Sequence, residues 1–262
     1  MPTTYAHYIF GQEVLKLLDG ELKKSINENI DLYNIGLHGP DILFYYNPLK
    51  SNGISKLGHR LHSQTAHIFF DNARKIISSH EDYAAACAYI SGFICHFMLD
   101  SQCHPYIRQK EGKELTHGDI ETEFDRMFMI KNKLNPLSFK PTSHIVPNTE
   151  NSEIISGFFD GISSDAILVA LKSMKFYLKL LVAPGHLKRF IILAGLKITG
   201  NYESMSGLIM KYKPLEKSSE INEKMYELFL DGINPAADII KEYNKNIKAN
   251  EKLNARFNRN FE

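Results

Sequence analysis

In the segment FICHFMLDSQCHPYI, Phe93 to Ile107, His96, Asp100 and His104 recur four residues apart. Four residues are about one helical turn, so a continuous helix sends all three side chains out on one face. Apolar neighbours on both sides mark that face as buried. Polar groups taken out of water need compensation, and a carboxylate set between two imidazoles is a donor set for a cation. A second four-residue pair, His117 and Glu121, stands in HGDIE. Asp41 lies in a Gly-Pro-Asp loop, His59 and His62 lie three apart, and His7 stands among Tyr5, Tyr8 and Phe10. Imidazole nitrogens and carboxylate oxygens without a thiolate pattern suit Zn²⁺ in a catalytic setting. Each piece also has a plainer reading: His7 as a core histidine, and His117 with Glu121 as a surface pair. The run from His96 to His104 resists that reading because its flanks are apolar.

The elements that must position these residues read as helices. YAHYIFGQEVLKLLDG is amphipathic and ends at Gly20, and LKKSINENIDLYNIG closes near Gly36. GLHGPDILFYYNPLKSNG reads as a loop, punctuated by Gly-Pro and Asn-Pro steps. KLGHRLHSQTAHIFFDNARKIISS is helical again. HEDYAAACAYISGFICHFMLDSQCH is a long buried helix, followed by a loop, PYIRQKEGKEL. In THGDIETEFDRMFMIKNKL, Thr116 is the expected N-cap ahead of acidic first-turn residues. After a Pro-rich connector the chain continues in helical segments, among them SDAILVALKSMKFYLKLLV and GHLKRFIILAGLKI. The amphipathic KMYELFLDGINPAADIIKEYNKNIKANEKLNARF reads as a packed surface helix. Strand-like alternation is scarce. The expectation is an all-α, single-domain multi-helix bundle over 1–262. Its metal cluster would lie between helices of the N-terminal half, with ligands within 7–121, and 135–262 would complete the bundle.

Bulk composition excludes some classes. With 262 residues and a formal net charge of +1, there is no bulk electrostatic case for nucleic acid or an anionic membrane. Seven of the eleven histidines fall between His38 and His104. Cys87, Cys95 and Cys103 are eight residues apart, about 12 Å along a helix, too far to bridge, as suits a reducing compartment. The N-terminal segment lacks a charged region followed by an unbroken apolar core. The most apolar run is interrupted by His96 and followed by Asp100. A cytoplasmic protein without a transmembrane segment is expected, or one exported without a recognisable signal peptide.

An early His, an Asp in a loop, a His on the next helix, H-x-x-x-D followed by His, then H-x-x-x-E stand in order as His7, Asp41, His62, His96, Asp100, His104, His117 and Glu121. This series resembles the zinc-dependent phospholipase C family, an all-α fold shared with S1/P1-type nucleases. The resemblance implies two or three zinc ions at the bottom of a cleft. Asp41, His62, His96 and Asp100 would hold one, and His104, His117 and Glu121 another. His7 and the N-terminus would hold a third, with Asp100 bridging. The family's metal-binding N-terminus is usually a Trp; this chain has none, and Pro2 would stand first after loss of Met1. His59 competes with His62, which is preferred because the apolar face of its helix runs on through Ala66 and Phe69. The implied activity is a phosphodiester hydrolase of phospholipase C type, with a zinc-activated water attacking the phosphate of a phospholipid and Asp41 orienting or deprotonating that water. A nuclease or phosphatase on the same metals is the enzymatic alternative, for which Phe44, Tyr45 and Tyr46 would offer stacking surfaces. A metal-stabilised helical domain without catalysis is the other. No stable nucleic-acid partner is expected.

Overall fold

The computed structural model describes residues 4–247 and 251–262. Among the described residues there are twelve α-helices, three short 3₁₀ segments and no strand. Helix α6, Tyr83–Lys110, is the axis of the molecule, with twenty of its 28 residues buried. It packs most extensively on α3 (Ile30–Gly36) and α12 (Ser218–Asn246), and also touches α1 (Thr4–Leu17), α5 (Ala66–Ser79) and α7 (His117–Lys131). By length and composition α6 could cross a membrane, but it is the buried core of this fold. Its approach to α3 is a backbone contact: a Cβ on Gly92 would stand 2.1 Å from the Tyr33 carbonyl oxygen. Phe69, Phe70, Phe93, Phe97, Phe257 and Phe261 interlock beside α6. Each ring taken fully from water contributes roughly 1.5–3 kcal/mol.

Several boundaries differ from the expectation. The long helix does not stop at His104 but runs through Pro105 to Lys110. Proline removes one backbone donor from a helix, and the turn beyond it still buries Ile107. LKKSINENIDLYNIG is two helices, α2 (Gly20–Glu28) and α3, broken at Asn29, whose side-chain amide donates to the Ser25 carbonyl. KLGHRLHSQTAHIFFDNARKIISS is likewise two, α4 (Gly53–Ser63) and α5, and the Ala66 amide at the break donates to the Arg259 carbonyl. The Gly-Pro-Asp segment is a 3₁₀ turn over Gly39–Tyr45. Gly39 has φ +46, and a Cβ there would strike the His96 ring at 2.2 Å. Thr116 caps α7 as expected, in a capping box with Asp119.

The remaining helices are α8 (Thr149–Ser156), α9 (Ser164–Leu181), α10 (His186–Ile198) and α11 (Tyr202–Met205). The amphipathic C-terminal helix α12 is packed, with Ile221, Met225, Phe229, Ile240 and Tyr243 buried, and continues through Pro235. It ends at Asn246 rather than running on to Phe257: residues 248–250 of that expected helix lie outside the described residues, and Ala255–Asn258 is a separate 3₁₀ turn.

Candidate metal centre

The fold brings the eight residues to one place from α1, the 3₁₀ turn, α4, α6 and α7. Three groups place one donor atom per residue within 4.8 Å of one another: Asp41, His62 and His96; His104, His117 and Glu121; and His7, His96 and Asp100. Asp100 stands between them. Its Oδ2 lies 3.0 Å from His96 Nε2 and 3.9 Å from His62 Nε2. Its Oδ1 lies 3.0 Å from His7 Nε2 and 3.7 Å from His104 Nε2. His59 is exposed and joins none of the groups, whereas His62 stands with Asp41 and His96. The N-terminal amine lies outside the described residues.

Three of the five imidazoles are held by the far nitrogen. His62 Nδ1 lies 2.9 Å from the Gly58 carbonyl oxygen, His104 Nδ1 2.7 Å from that of Phe261, and His117 Nδ1 2.9 Å from Glu111 Oε2. These acceptors require Nδ1–H, so in the neutral ring Nε2 carries the lone pair. Those Nε2 atoms face carboxylate oxygens: His62 toward Asp41 at 3.0 Å, His104 and His117 toward Glu121 at 3.6 and 3.3 Å. Lone pair facing anion is repulsive unless a proton or a metal ion lies between. Donor atoms about 2.0–2.2 Å from a tetrahedral zinc stand roughly 3.3–3.6 Å apart, close to the separations found. Both nitrogens of His96 and Oδ1 of Asp41 are buried without a well-aligned hydrogen bond, although Asp100 and His62 are 3.0 Å away. The donor set therefore fits zinc.

The electrostatics carry the same signature. Burial works to raise Asp100 and Glu121, yet both are held well below the usual carboxylate range, Asp100 by the imidazoles around it and Glu121 with His104 and His117 contributing. Burial works to lower His62, but Asp41 and Asp100 push it up to about 9. Without a metal, His62 would hold a proton at neutral pH. His96 goes the other way: burial lowers it, and the nearby His7 adds to that, against Asp100.

Residues not singled out in the sequence support the site. Asp125 accepts from the Tyr5 and Ala6 amides at 3.1 and 2.8 Å, pinning the first turn of α1 so that His7 meets Asp100. Burial pushes the Asp125 carboxyl up to about 7 against those two bonds. Glu111 orients His117, and the Phe261 carbonyl orients His104. Only the four-residue spacing held a signal for another: Arg108 follows His96, Asp100 and His104 at the same interval once α6 passes Pro105. The groups open into a cleft of about 190 Å³ whose walls include Arg108, His59, Phe44 and Glu262. Arg108 pairs with Glu262 at 2.7 Å. Of the aromatics after Asp41, Phe44 lines the cleft and stacks on His59 and His62, whereas Tyr45 is buried.

The sequence profile of the zinc dependent phospholipase C family matches residues 6–167, well over half of the chain and all eight residues of the site. No curated protein and no solved structure matches the chain.

Proposed function

The chain belongs to the zinc-dependent phospholipase C family, and from that premise we propose that it hydrolyses the phosphodiester bond between diacylglycerol and a phosphorylated head group, using a cluster of two or three zinc ions. Asp41, His62, His96 and Asp100 would hold one ion, and His104, His117 and Glu121 another. Asp100 turns one oxygen toward His62 and His96 and the other toward His7 and His104, and would be the ligand shared between the ions. When bound, zinc ions neutralise a phosphoryl group and make an acidified water available near pH 7. The protein's part is placement. Gly58, Phe261 and Glu111 fix the imidazoles in the tautomer that presents Nε2. Asp41, partly open to the cleft, orients or accepts a proton from the attacking water. Arg108 at the wall, paired with Glu262 in the structure, offers a guanidinium to the phosphate.

The observation that carries this reading is the convergence of imidazole Nε2 atoms on the carboxylates of Asp41, Asp100 and Glu121, a buried donor set that zinc would satisfy and that protons satisfy only in part. One exposed-side aromatic, Phe44, beside a narrow cleft favours a lipid head group over a run of stacked bases. The test is metal analysis of purified protein followed by hydrolysis of phosphatidylcholine or phosphatidylethanolamine, single-stranded DNA and a phosphomonoester. Two or three zinc per chain, with lipid cleaved fastest, is the expected result. DNA cut in preference to lipid would replace the reading with a nuclease. Less than about half an equivalent of zinc after reconstitution would remove its basis, since site binding and folding are coupled.

A further inference from the structure

Helix α10 buries none of its residues, although it is among the more apolar segments of the chain. Four of its apolar side chains, Leu187, Phe190, Ile191 and Ile198, are exposed, whereas Ile192, Leu193, Ala194 and Leu196 are half-buried. Leu187, Phe190, Ile191, Ala194 and Ile198 fall within about a 100° arc at helical periodicity. Phe190 is 70% exposed and Ile198 87%. Lys188 and Lys197 stand on either edge of that arc. The opposite side is the one attached to the protein: Arg189 donates to the Ala183 and Met210 carbonyls and lies 3.8 Å over the Tyr212 ring. The preceding helix repeats the pattern. On α9, Val169, Phe176 and Leu180 share an exposed stripe, with Lys172 and Lys179 along one edge.

The charge around these stripes is of one sign. From Ala166 to Gly200 the chain has Lys172, Lys175, Lys179, Lys188, Arg189 and Lys197 and no Asp or Glu. Among the described residues, none of the six pairs with a carboxylate. The net charge of +1 for the whole chain conceals this local surplus. An outward apolar stripe rimmed by lysines is the pattern of a helix lying in a lipid interface, where the rings and aliphatic chains enter the acyl boundary and the amines reach anionic head groups.

We propose that the outer face of α9 and α10 docks the protein onto an anionic phospholipid surface. A second copy of the chain is a poorer occupant, because a self-complementary contact would set the same unneutralised lysines against one another. The face is also tied to the site. Met210 and Tyr212, which hold Arg189, follow the 3₁₀ turn Ser206–Leu208. Gly207 in that turn accepts from Thr122 at 2.8 Å, on the helix that carries His117 and Glu121. The choice of lipid over other anionic surfaces rests on the phospholipid reading of the site; the docking itself does not depend on the chemistry.

The test is co-flotation of zinc-loaded protein with vesicles of phosphatidylcholine alone or mixed with phosphatidylglycerol, for the wild type and the double variant Phe190→Glu with Ile191→Glu. A monomeric short-chain phosphatidylcholine serves as a soluble substrate. The wild type should float with the mixed vesicles, less with neutral ones, and less again as salt is raised. The variant should float at least about tenfold less, given the apolar area withdrawn from the interface, while cleaving the soluble lipid at the wild-type rate. Flotation unchanged in the variant, or no flotation of the wild type with mixed vesicles, overturns the proposal. A dimer that the variant dissolves, seen by light scattering without vesicle binding, makes a second copy the occupant. If the wild type cleaves no lipid yet floats as described, the hydrolytic reading fails and the docking face stands.

Discussion

Helices α6 and α10 are both rich in apolar residues, yet the fold buries twenty residues of the first and none of the second. They also depart from the ordinary pattern in opposite senses. α6 carries His96, Asp100 and His104 where water is excluded; α10 carries Leu187, Phe190 and Ile191 where water has access. Each departure costs stability in the isolated protein. A buried polar group is reconciled by something that binds it, and an exposed apolar face by something that covers it. In the first case the protein's own geometry specifies the chemistry, because donor atoms converge from several helices. In the second, the lysines at the rim carry the information.

The comparison breaks hardest at Asp100. On the proposed reading, Asp100→Asn would exchange a shared carboxylate for a neutral amide whose nitrogen ligates poorly, and the two ions it would separate would repel more strongly. Zinc stoichiometry should fall and the hydrolysis rate should drop on the order of a thousandfold, as expected for disabling the metal's role. Glu121→Gln takes one ligand from one group and leaves His104 and His117, so it should lose less of both. Metal counts at matched helical content decide the matter. A wild-type zinc count in Asp100→Asn would mean that Asp100 is only a buried polar residue of α6.

Next in size is a pair of identical substitutions on the two helices. Phe93, fully buried, contacts Phe69, Phe70, Tyr89 and Phe261. Phe93→Ala should destabilise by about 3–5 kcal/mol through lost burial and the cavity left behind. Phe190→Ala removes the same ring from solvent-exposed α10 and should change stability by less than about 0.5 kcal/mol. Denaturant unfolding of both variants measures the difference. A cost at Phe190 approaching that at Phe93 would show that α10 is packed in solution, and its outward face would lose its meaning.

The same pair of helices shows what could be read before the fold was known. The spacing of His96, Asp100 and His104, and of His117 and Glu121, is a local property of one helix each, so both sets were legible. So was the all-helical class, from periodicity. Asp125 was not, because it acts on backbone amides 119 and 120 residues away. The roles of Glu111 and the Phe261 carbonyl were hidden for the same reason: orienting a ligand is a tertiary relation without a sequence period. Pro105 misled, because a proline costs one helix hydrogen bond and the packing of Ile107 outweighs it. The apolar stripe of α10 was visible as periodicity, but periodicity does not say which way a face turns.

The smallest effect separates imidazoles that face carboxylates from those that do not. His38 and His144 meet through their Nε2 atoms at 2.8 Å, with Tyr8 stacked on His144, and belong to none of the three donor groups. One ring donates through Nε2–H and the other accepts at a bare Nε2, so the accepting ring is neutral, and burial keeps both rings neutral near pH 7. Burial lowers both, His38 well below its ordinary value and His144 to about 3, aided by Lys175. A histidine with a depressed folded pKa contributes stability above its unfolded value, about 6.5, that is lost as pH falls toward the folded one. His62 has the opposite sign in zinc-free protein: raised to about 9, it stabilises below pH 6.5 and loses that contribution as pH rises through 9. Zinc-free wild type should therefore lose stability between pH 6 and 5 partly through the His38–His144 pair. His144→Gln keeps an amide partner for His38 but removes one proton-binding site of the unfolded chain, so its acid limb should be shallower by about 1 kcal/mol per pH unit. Urea unfolding at pH 7, 6 and 5 measures it. Parallel limbs in the two proteins would mean that His144 already carries its proton in the fold, and that this buried pair, like the site beside it, has an anion facing it.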